Sequence, residues 1–247
     1  MRIMTIVAAL IIHAAFSCVG FAQSHDEHFP ALWLEAAQAY KDGDFSKAAE
    51  FYQHAAQEHP ALWETHYNAA NAHFRANSYP EALEYYWRAF ELNPRNPNIV
   101  KNLNLAAQKT GDVFAPPGVP VGLYLVWHVL TKTEWVALSL ICWWLLALAL
   151  IAAKFRIGLK MTDTVRQGLW ALSATLALTS AIAASHVLAG RREWAVIKVP
   201  GLLRSGPSEN LPVTVQIPEG RFVRILEKKD AWTLIETRKE KLRGWLR

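Results

Sequence analysis

Four consecutive side chains near the start of the sequence have the chemistry of metal ligands: His25, Asp26, Glu27 and His28. Zinc sites use such imidazole and carboxylate groups, but they need a folded framework that fixes three or four of them around the ion. These residues precede the first periodic segment of the chain, so we expect them to lie in an exposed tail. The sequence therefore predicts neither a metal site nor a cofactor site.

The sequence also lacks motifs for nucleophilic or phosphate-binding chemistry. It contains no Gly-x-Ser-x-Gly turn and no Gly-x-x-x-x-Gly-Lys loop. Its two cysteines are Cys18, at the end of an N-terminal apolar segment, and Cys142, within a later apolar run. His66 and His73 share one predicted helix but have no acidic ligand at a suitable spacing. We expect no catalytic residue and a protein that is not an enzyme.

A 34-residue repeat between residues 29 and 111 is the element best suited to binding. The positions that coincide at this offset are Ala36 and Ala70, Phe45 and Tyr79, Ala48 and Ala82, Phe51 and Tyr85, Tyr52 and Tyr86, Ala55 and Ala89, and Pro60 and Pro94. Thirty-four residues is the period of the tetratricopeptide repeat, a pair of antiparallel helices with small residues where they cross. We predict repeats at 29–62 and 63–96 and a capping helix at 98–109, because a stack of repeats must cover its end.

The resemblance to tetratricopeptide repeats implies that the first helices of successive repeats line a concave groove for a peptide. Its candidate residues are Trp33, Tyr40, Tyr67, Asn68, Asn71, Phe74, Lys101 and Asn102. Asparagine and lysine can hydrogen-bond an extended peptide or its terminal carboxylate. However, the first repeat has Trp33 and Ala37 at the positions where a carboxylate-clamping repeat has Lys and Asn. The alternative is therefore a repeat framework whose groove does not clamp a carboxylate.

The N-terminus has the pattern of an export signal at residues 1–22. Arg2 is followed by an apolar core from Ile3 to Phe16 and a small-residue exit that ends at Ala22, which is typical of a secretory signal peptide. Lipidation at Cys18 and an uncleaved anchor are the alternatives. In each case we expect the following residues to be exported.

Two uncharged runs predict a transmembrane hairpin after the repeats. The runs cover residues 135–153 and 168–190, and each is long enough to span a bilayer. They follow a Pro-rich linker and a short segment suited to the membrane surface, at residues 112–133. The intervening loop at 154–167 has four basic residues against one acidic residue. Short basic loops remain in the cytoplasm, so we expect both flanking domains on the outer side of the inner membrane, in the periplasm.

Residues 194–247 change to an alternating pattern broken by Gly and Pro, which predicts short strands. The segments 203–208, 219–220, 231–234 and 244–246 resemble the turns and strands of bacterial SH3-like domains. The resemblance implies a small all-β barrel with Trp232 and Trp245 as a candidate ligand surface. The alternative is that both belong to the core, where tryptophans of so small a barrel more often lie.

Charge and hydropathy exclude two broad classes of protein. Residues 23–112 carry 7 basic and 12 acidic residues, whereas residues 191–247 carry 13 basic and 7 acidic residues, so the net charge of +5 conceals one acidic and one basic region. A nucleic-acid binder would have a contiguous basic patch interleaved with aromatic residues, and we expect no nucleic-acid partner. With 52% hydrophobic residues, the chain is a multidomain membrane protein rather than a soluble enzyme.

The order of these modules resembles the E-type (BatE-like) proteins of aerotolerance (Bat) operons. The most particular part is the helix at 102–106, Asn-Leu-Asn-Leu-Ala, which leads through the Pro-rich linker to Trp135. The resemblance implies as partners membrane proteins with von Willebrand A domains and a MoxR-type ATPase system, in addition to the lipid bilayer. We expect a non-enzymatic inner-membrane scaffold linked to stress tolerance. The alternative is a protein that senses or targets peptidoglycan through its SH3-like domain.

Overall fold

The computed structural model describes residues 28–115, 117–154, 162–190 and 194–247. The predicted signal peptide at 1–22, including Cys18, lies outside these residues, and so do residues 25–27 of the metal-like tail and most of the basic loop. Within them, the chain forms eight helices and six strands. In chain order these are a helical repeat stack, a short helix, a pair of long apolar helices and a β-sheet.

Five antiparallel helices form the repeat stack: α1 (His28–Lys41), α2 (Phe45–Glu58), α3 (Trp63–Arg75), α4 (Tyr79–Leu92) and α5 (Pro97–Lys109). Alanines at equivalent positions of the two repeats, Ala36, Ala70, Ala48 and Ala82, are fully buried. Their small side chains allow neighbouring helices to approach closely. The Asp44 carboxylate accepts a hydrogen bond from the Lys47 N–H group and caps α2.

The turn after each first helix has the same left-handed backbone. The φ angle is 82° at Gly43, 63° at Asn77 and 71° at Gly111, and these residues follow one another at intervals of 34. Glycine adopts this conformation without strain, and asparagine tolerates it better than most residues. The helix predicted as a cap, α5, therefore has the geometry of the first helix of a third repeat.

His66 and His73 are packing residues of the stack. Both rings stack on the Tyr85 ring, with centroid distances of 6.1 Å for His66 and 5.6 Å for His73. Burial is the largest influence on both imidazoles and lowers the pKa of each. His66 Nε2 also lies 3.0 Å from the Pro60 carbonyl oxygen. Neither residue belongs to a group that could hold a metal ion among the residues described.

A short helix, α6 (Val121–Trp127), follows the linker. The Tyr124 ring packs on Phe114 at 5.3 Å and on Phe90 of α4 at 6.5 Å between centroids. Burial raises the pKa of Tyr124 to about 12. Leu123 and Val126 remain exposed on the rest of the helix. One side of α6 thus joins the core of the repeats and the other is apolar and uncovered.

The long helices are α7 (Lys132–Lys154) and α8 (Asp163–Gly190). Segments of 21 and 23 residues within them, with mean hydropathies of 2.3 and 1.4, are long and apolar enough to cross a membrane. The Oγ atoms of Ser139 and Ser180 are 2.8 Å apart. Ser139 lies near the start of α7 and Ser180 in the second half of α8, so the helices pack antiparallel. The start of α7 and the end of α8 are therefore at the same end of the pair.

Residues 194–247 form the C-terminal β module, a single antiparallel sheet in the order β1-β4-β5-β6-β2-β3. Its strands are β1 (Trp194–Val196), β2 (Gly201–Arg204), β3 (Val213–Ile217), β4 (Phe222–Lys229), β5 (Trp232–Thr237) and β6 (Arg243–Leu246). One face buries a cluster formed by Ile197, Leu203, Ile217, Val223 and Ile235. The alternation predicted from the sequence thus produces a sheet that buries this cluster on one face.

Candidate functional site

A cavity of about 160 Å³ lies among the first helices of the repeats. Its lining residues are Tyr40, Asn71, Phe74, Arg75, Tyr86, Asn102 and Leu105. They come from α1, α3 and α5, with Tyr86 reaching in from α4. We call this cavity the groove. Aromatic rings and amides dominate its surface, which is suited to an extended peptide because rings contact side chains while amides pair with backbone groups.

Hydrogen bonds between side chains fix the base of the groove. Asn71 Oδ1 accepts from the Tyr86 hydroxyl at 2.7 Å and from Asn102 Nδ2 at 3.2 Å. Asn102 Nδ2 also donates to the Tyr67 hydroxyl oxygen at 3.1 Å. Burial raises the pKa of Tyr86 strongly, so its hydroxyl stays protonated and remains a donor. This network joins α3, α4 and α5.

The network leaves part of each amide available. Among the described residues, Asn71 Nδ2 and Asn102 Oδ1 make no further side-chain hydrogen bond. An amide donor and an amide acceptor in one cavity match the C=O and N–H groups of a bound peptide backbone. The exposed Arg75 guanidinium lies 4.4 Å from the Phe45 ring centroid and adds a positive charge at the rim.

The structure brings together only part of the predicted groove. Tyr40, Asn71, Phe74 and Asn102 line the cavity, and Tyr67 joins the hydrogen-bond network at its base. The remaining predicted residues, Trp33, Asn68 and Lys101, do not line it. Trp33 instead packs edge-on against Tyr52 at 5.4 Å.

Arg75, Tyr86 and Leu105 line the groove but were not predicted. Arg75 and Leu105 lie one helical turn after the predicted residues Asn71 and Lys101. Helical spacing alone could therefore have predicted both as groove residues. Tyr86 belongs to a second helix, whereas the prediction considered only residues of the first helices.

Trp232 and Trp245 lie on the outer face of the sheet rather than in its core. Leu234 pairs with Trp245 across β5 and β6, while Ile235 pairs with Gly244. Because alternate residues of a strand face opposite sides, Trp232 and Trp245 share the face opposite the buried Ile235. Neither belongs to the buried cluster, and both are partly exposed. The interpretation of these tryptophans as core residues was wrong, although their role as a ligand surface stays a prediction.

Arg238 of the β module contacts the repeats and the linker, and the sequence analysis did not predict this contact. Its guanidinium carbon lies 4.4, 4.5 and 4.3 Å from the ring centroids of Trp87, Trp194 and Phe222. It also donates from Nη1 to the Phe114 carbonyl at 3.1 Å. Only 2% of Arg238 is exposed. A sequence signal existed at Trp87, which stands where the first repeat has a glutamine, Gln53.

Two ion pairs join the repeats to the start of α7. Arg95 Nη2 lies 2.8 Å from Glu134 Oε1, and Lys132 Nζ lies 3.4 Å from Glu91 Oε1. These side chains border a wide cavity of about 770 Å³ between the stack and α7. Each pair is exposed and contributes little stability alone, but together they place the repeat stack beside the first turn of the long helix.

Comparison with known proteins identifies one repeat of the helical stack. Residues 63–96 match the family model of the tetratricopeptide repeat. The structure is similar to the N-terminal domain of stress-induced protein-1 (STI-1) from C. elegans, with 16% sequence identity, a TM-score of 0.33, and coverage of 62% of this chain and 99% of that chain. No curated protein matches the chain. The family match confirms the tetratricopeptide repeat predicted at 63–96, and such repeats are protein-interaction modules.

Replacing Asn71 with alanine tests the network at the base of the groove. We expect Asn71→Ala to lower the free energy of unfolding by about 1–3 kcal/mol, because the buried Tyr86 hydroxyl loses its acceptor. Adding Tyr86→Phe should cost less in the Asn71→Ala background than in the wild type. Thermal unfolding of the full chain in detergent measures all four proteins. Additive effects of the two substitutions would contradict the proposed hydrogen bond.

Proposed function

We propose that this protein is a non-enzymatic scaffold of the bacterial inner membrane that binds other envelope proteins through its repeats. The observation that carries the proposal is the groove, where Asn71 and Asn102 present unused amide groups between aromatic rings. Tetratricopeptide repeats bind protein segments through such grooves, and the match at 63–96 supports this role.

The proposed partners follow from the resemblance to BatE-like proteins. They are membrane proteins with von Willebrand A domains and a MoxR-type ATPase system, in a Bat-type complex linked to stress tolerance. The proposed SH3-like character of the β module belongs to the same resemblance, and its six-stranded antiparallel sheet is compatible with it.

We further propose that α7 and α8 span the inner membrane and that both folded parts lie in the periplasm. The antiparallel packing marked by Ser139 and Ser180 supports a hairpin whose two ends emerge on one side. Lys198, four residues after the start of β1, lies 2.9 Å from Glu84 of α4. The repeats and the β module therefore contact each other, which two compartments would not permit. The basic loop at 154–167 would then remain in the cytoplasm.

Alkaline phosphatase fusions test this topology, because the enzyme is active only after export. We expect activity when it follows Gly111 or Arg247 and none when it follows Lys160. Activity assays with matched expression levels give the answer in intact cells. The reverse pattern would overturn the topology together with the proposed periplasmic partners.

Photo-crosslinking tests the groove as a binding surface. Leu105 lines the groove and is 41% exposed, so a benzoylphenylalanine in its place should reach a bound partner. Glu50 is exposed on α2 and does not line the groove, and it serves as the matched control. We expect irradiation of intact cells to attach proteins with von Willebrand A domains at position 105 but not at position 50. Equal crosslinking at both positions, or none at 105, would contradict the proposal.

The partly exposed Trp232 and Trp245 favour peptidoglycan sensing or targeting as a second candidate function. Aromatic rings on an outer sheet face suit contacts with sugar and peptide groups. We expect purified sacculi to retain the detergent-solubilised full chain and to release the variant that carries both Trp232→Ala and Trp245→Ala. Arg247→Ala removes an exposed charge from the same module and controls for general electrostatic attraction. Retention of the double variant at the wild-type level would exclude this function.

A further inference from the structure

The third repeat of the stack is incomplete. Its first helix, α5, ends in the left-handed turn at Gly111, as the first helices of the two complete repeats do at Gly43 and Asn77. The 34-residue period places the second helix of this repeat at residues 113–126. Prolines at 116, 117 and 120 interrupt that segment, and only α6 remains at its end.

Residues of the β module and the linker cover the surface of α4 that the missing helix leaves open. Phe222 packs edge-on against Trp87 with ring centroids 5.3 Å apart, and Phe114 packs against Phe90 at 5.4 Å. Val196 and Phe222 belong to the same buried cluster as the repeat residues. The first repeat has Gln53 and Ala56 at the positions of Trp87 and Phe90. At these two positions, large apolar side chains occur in the repeat that Phe222 and Phe114 cover.

The β module also binds the carboxyl end of α5. Arg221 Nη1 donates to the Gly111 carbonyl, and Lys239 Nζ donates to the same oxygen at 2.7 Å. The Asp112 carboxylate accepts a hydrogen bond from the Phe222 N–H group at 2.5 Å. The Gly111 carbonyl lies just beyond the end of α5, where cations complement the helix dipole. These contacts replace the support that a second helix would give.

We propose that the β module completes the third repeat and thereby holds the groove in its binding geometry. The helix that it supports, α5, contributes Asn102 and Leu105 to the groove. When the module is docked, α5 stays against α3 and α4. When the module is displaced, α5 loses its support and the wall of the groove loosens. The interaction surface on α4 and at the end of α5 therefore has the chain's own β module as its partner.

This inference deepens the proposed groove function, and its test needs no ligand. Gly220 packs so closely on Thr110 that an added Cβ would overlap the Thr110 side chain. Gly220→Ala should therefore separate the module from α5. Gly220 has a φ of +74°, so the substitution also strains the backbone. Gly118→Ala is the matched control, because Gly118 has a φ of +82° but no neighbour within 4 Å.

Amide hydrogen exchange of the full chain in lipid nanodiscs measures the effect. In Gly220→Ala we expect exchange in α5 to be at least about tenfold faster than in Gly118→Ala, with α2 and β5 unchanged. Adding Thr110→Gly removes the overlapping side chain and should restore slow exchange. Equal exchange of α5 in Gly220→Ala and Gly118→Ala would overturn the proposal.

A second variant keeps the test decisive if Gly220→Ala unfolds the module and exchange in β5 also rises. Arg221→Gln removes the contacts with the Thr110 and Gly111 carbonyls, and Arg247→Gln is its control at an exposed ion pair with Glu209. We expect faster exchange of α5 in Arg221→Gln by at least about threefold. Equal rates in these two variants would likewise overturn the proposal. Loss of crosslinking at the groove with normal exchange would instead contradict only the proposed groove function.

Discussion

The arrangement of this protein depends on one buried cation. Arg238 brings a positive charge into an apolar interface, which costs free energy unless the charge finds compensating partners. Here the faces of three aromatic rings and the Phe114 carbonyl surround the guanidinium. Nearby Asp112 contributes a negative charge. Burial of the arginine lowers its pKa, but guanidinium groups remain charged at any physiological pH. The contact is therefore specific, since an undocked module would separate the guanidinium from the Trp87 ring and from the Phe114 carbonyl.

The Arg238 contact joins the repeats to the β module, although α7 and α8 lie between them in the sequence. The linker residues Phe114 and Tyr124 pack between α4 and the module, and Lys198 reaches Glu84. The ion pairs of Arg95 and Lys132 place the same stack beside the start of α7. Repeats, linker and module thus share contacts at one end of the long helices. A peptide bound in the groove would be presented at a defined position relative to the proposed membrane surface.

Periodic features of the sequence were sufficient to predict much of this fold. The 34-residue offset predicted the paired helices, and alternation of apolar residues predicted the strands, because both patterns follow from local backbone geometry. The left-handed turn at Asn77 was also predictable, since few other residues adopt it. Four of the eight predicted groove residues line the cavity because first-helix positions repeat at a fixed spacing.

The contact between the modules could not be predicted in the same way. Arg238 lies in the charged segment Glu236-Thr237-Arg238-Lys239-Glu240, which has the composition of an exposed turn. Its burial depends on residues more than a hundred positions away. The outward position of Trp245 likewise depends on strand register rather than on residue type. Only the unusual size of Trp87 and Phe90 in the last complete repeat indicated that something must cover α4.

A disulfide between the two modules tests the central claim, that they dock against each other on the periplasmic side. Thr110 and Gly220 lie close enough for a disulfide after a small shift of the turn, and replacing Cys142 with serine removes the thiol of α7. The account predicts that the chain with Thr110→Cys and Gly220→Cys forms an intramolecular disulfide in intact cells without added oxidant, because the periplasm is oxidising. Non-reducing electrophoresis would detect it as a faster band. Reduced thiols at both positions in intact, growing cells would contradict the account.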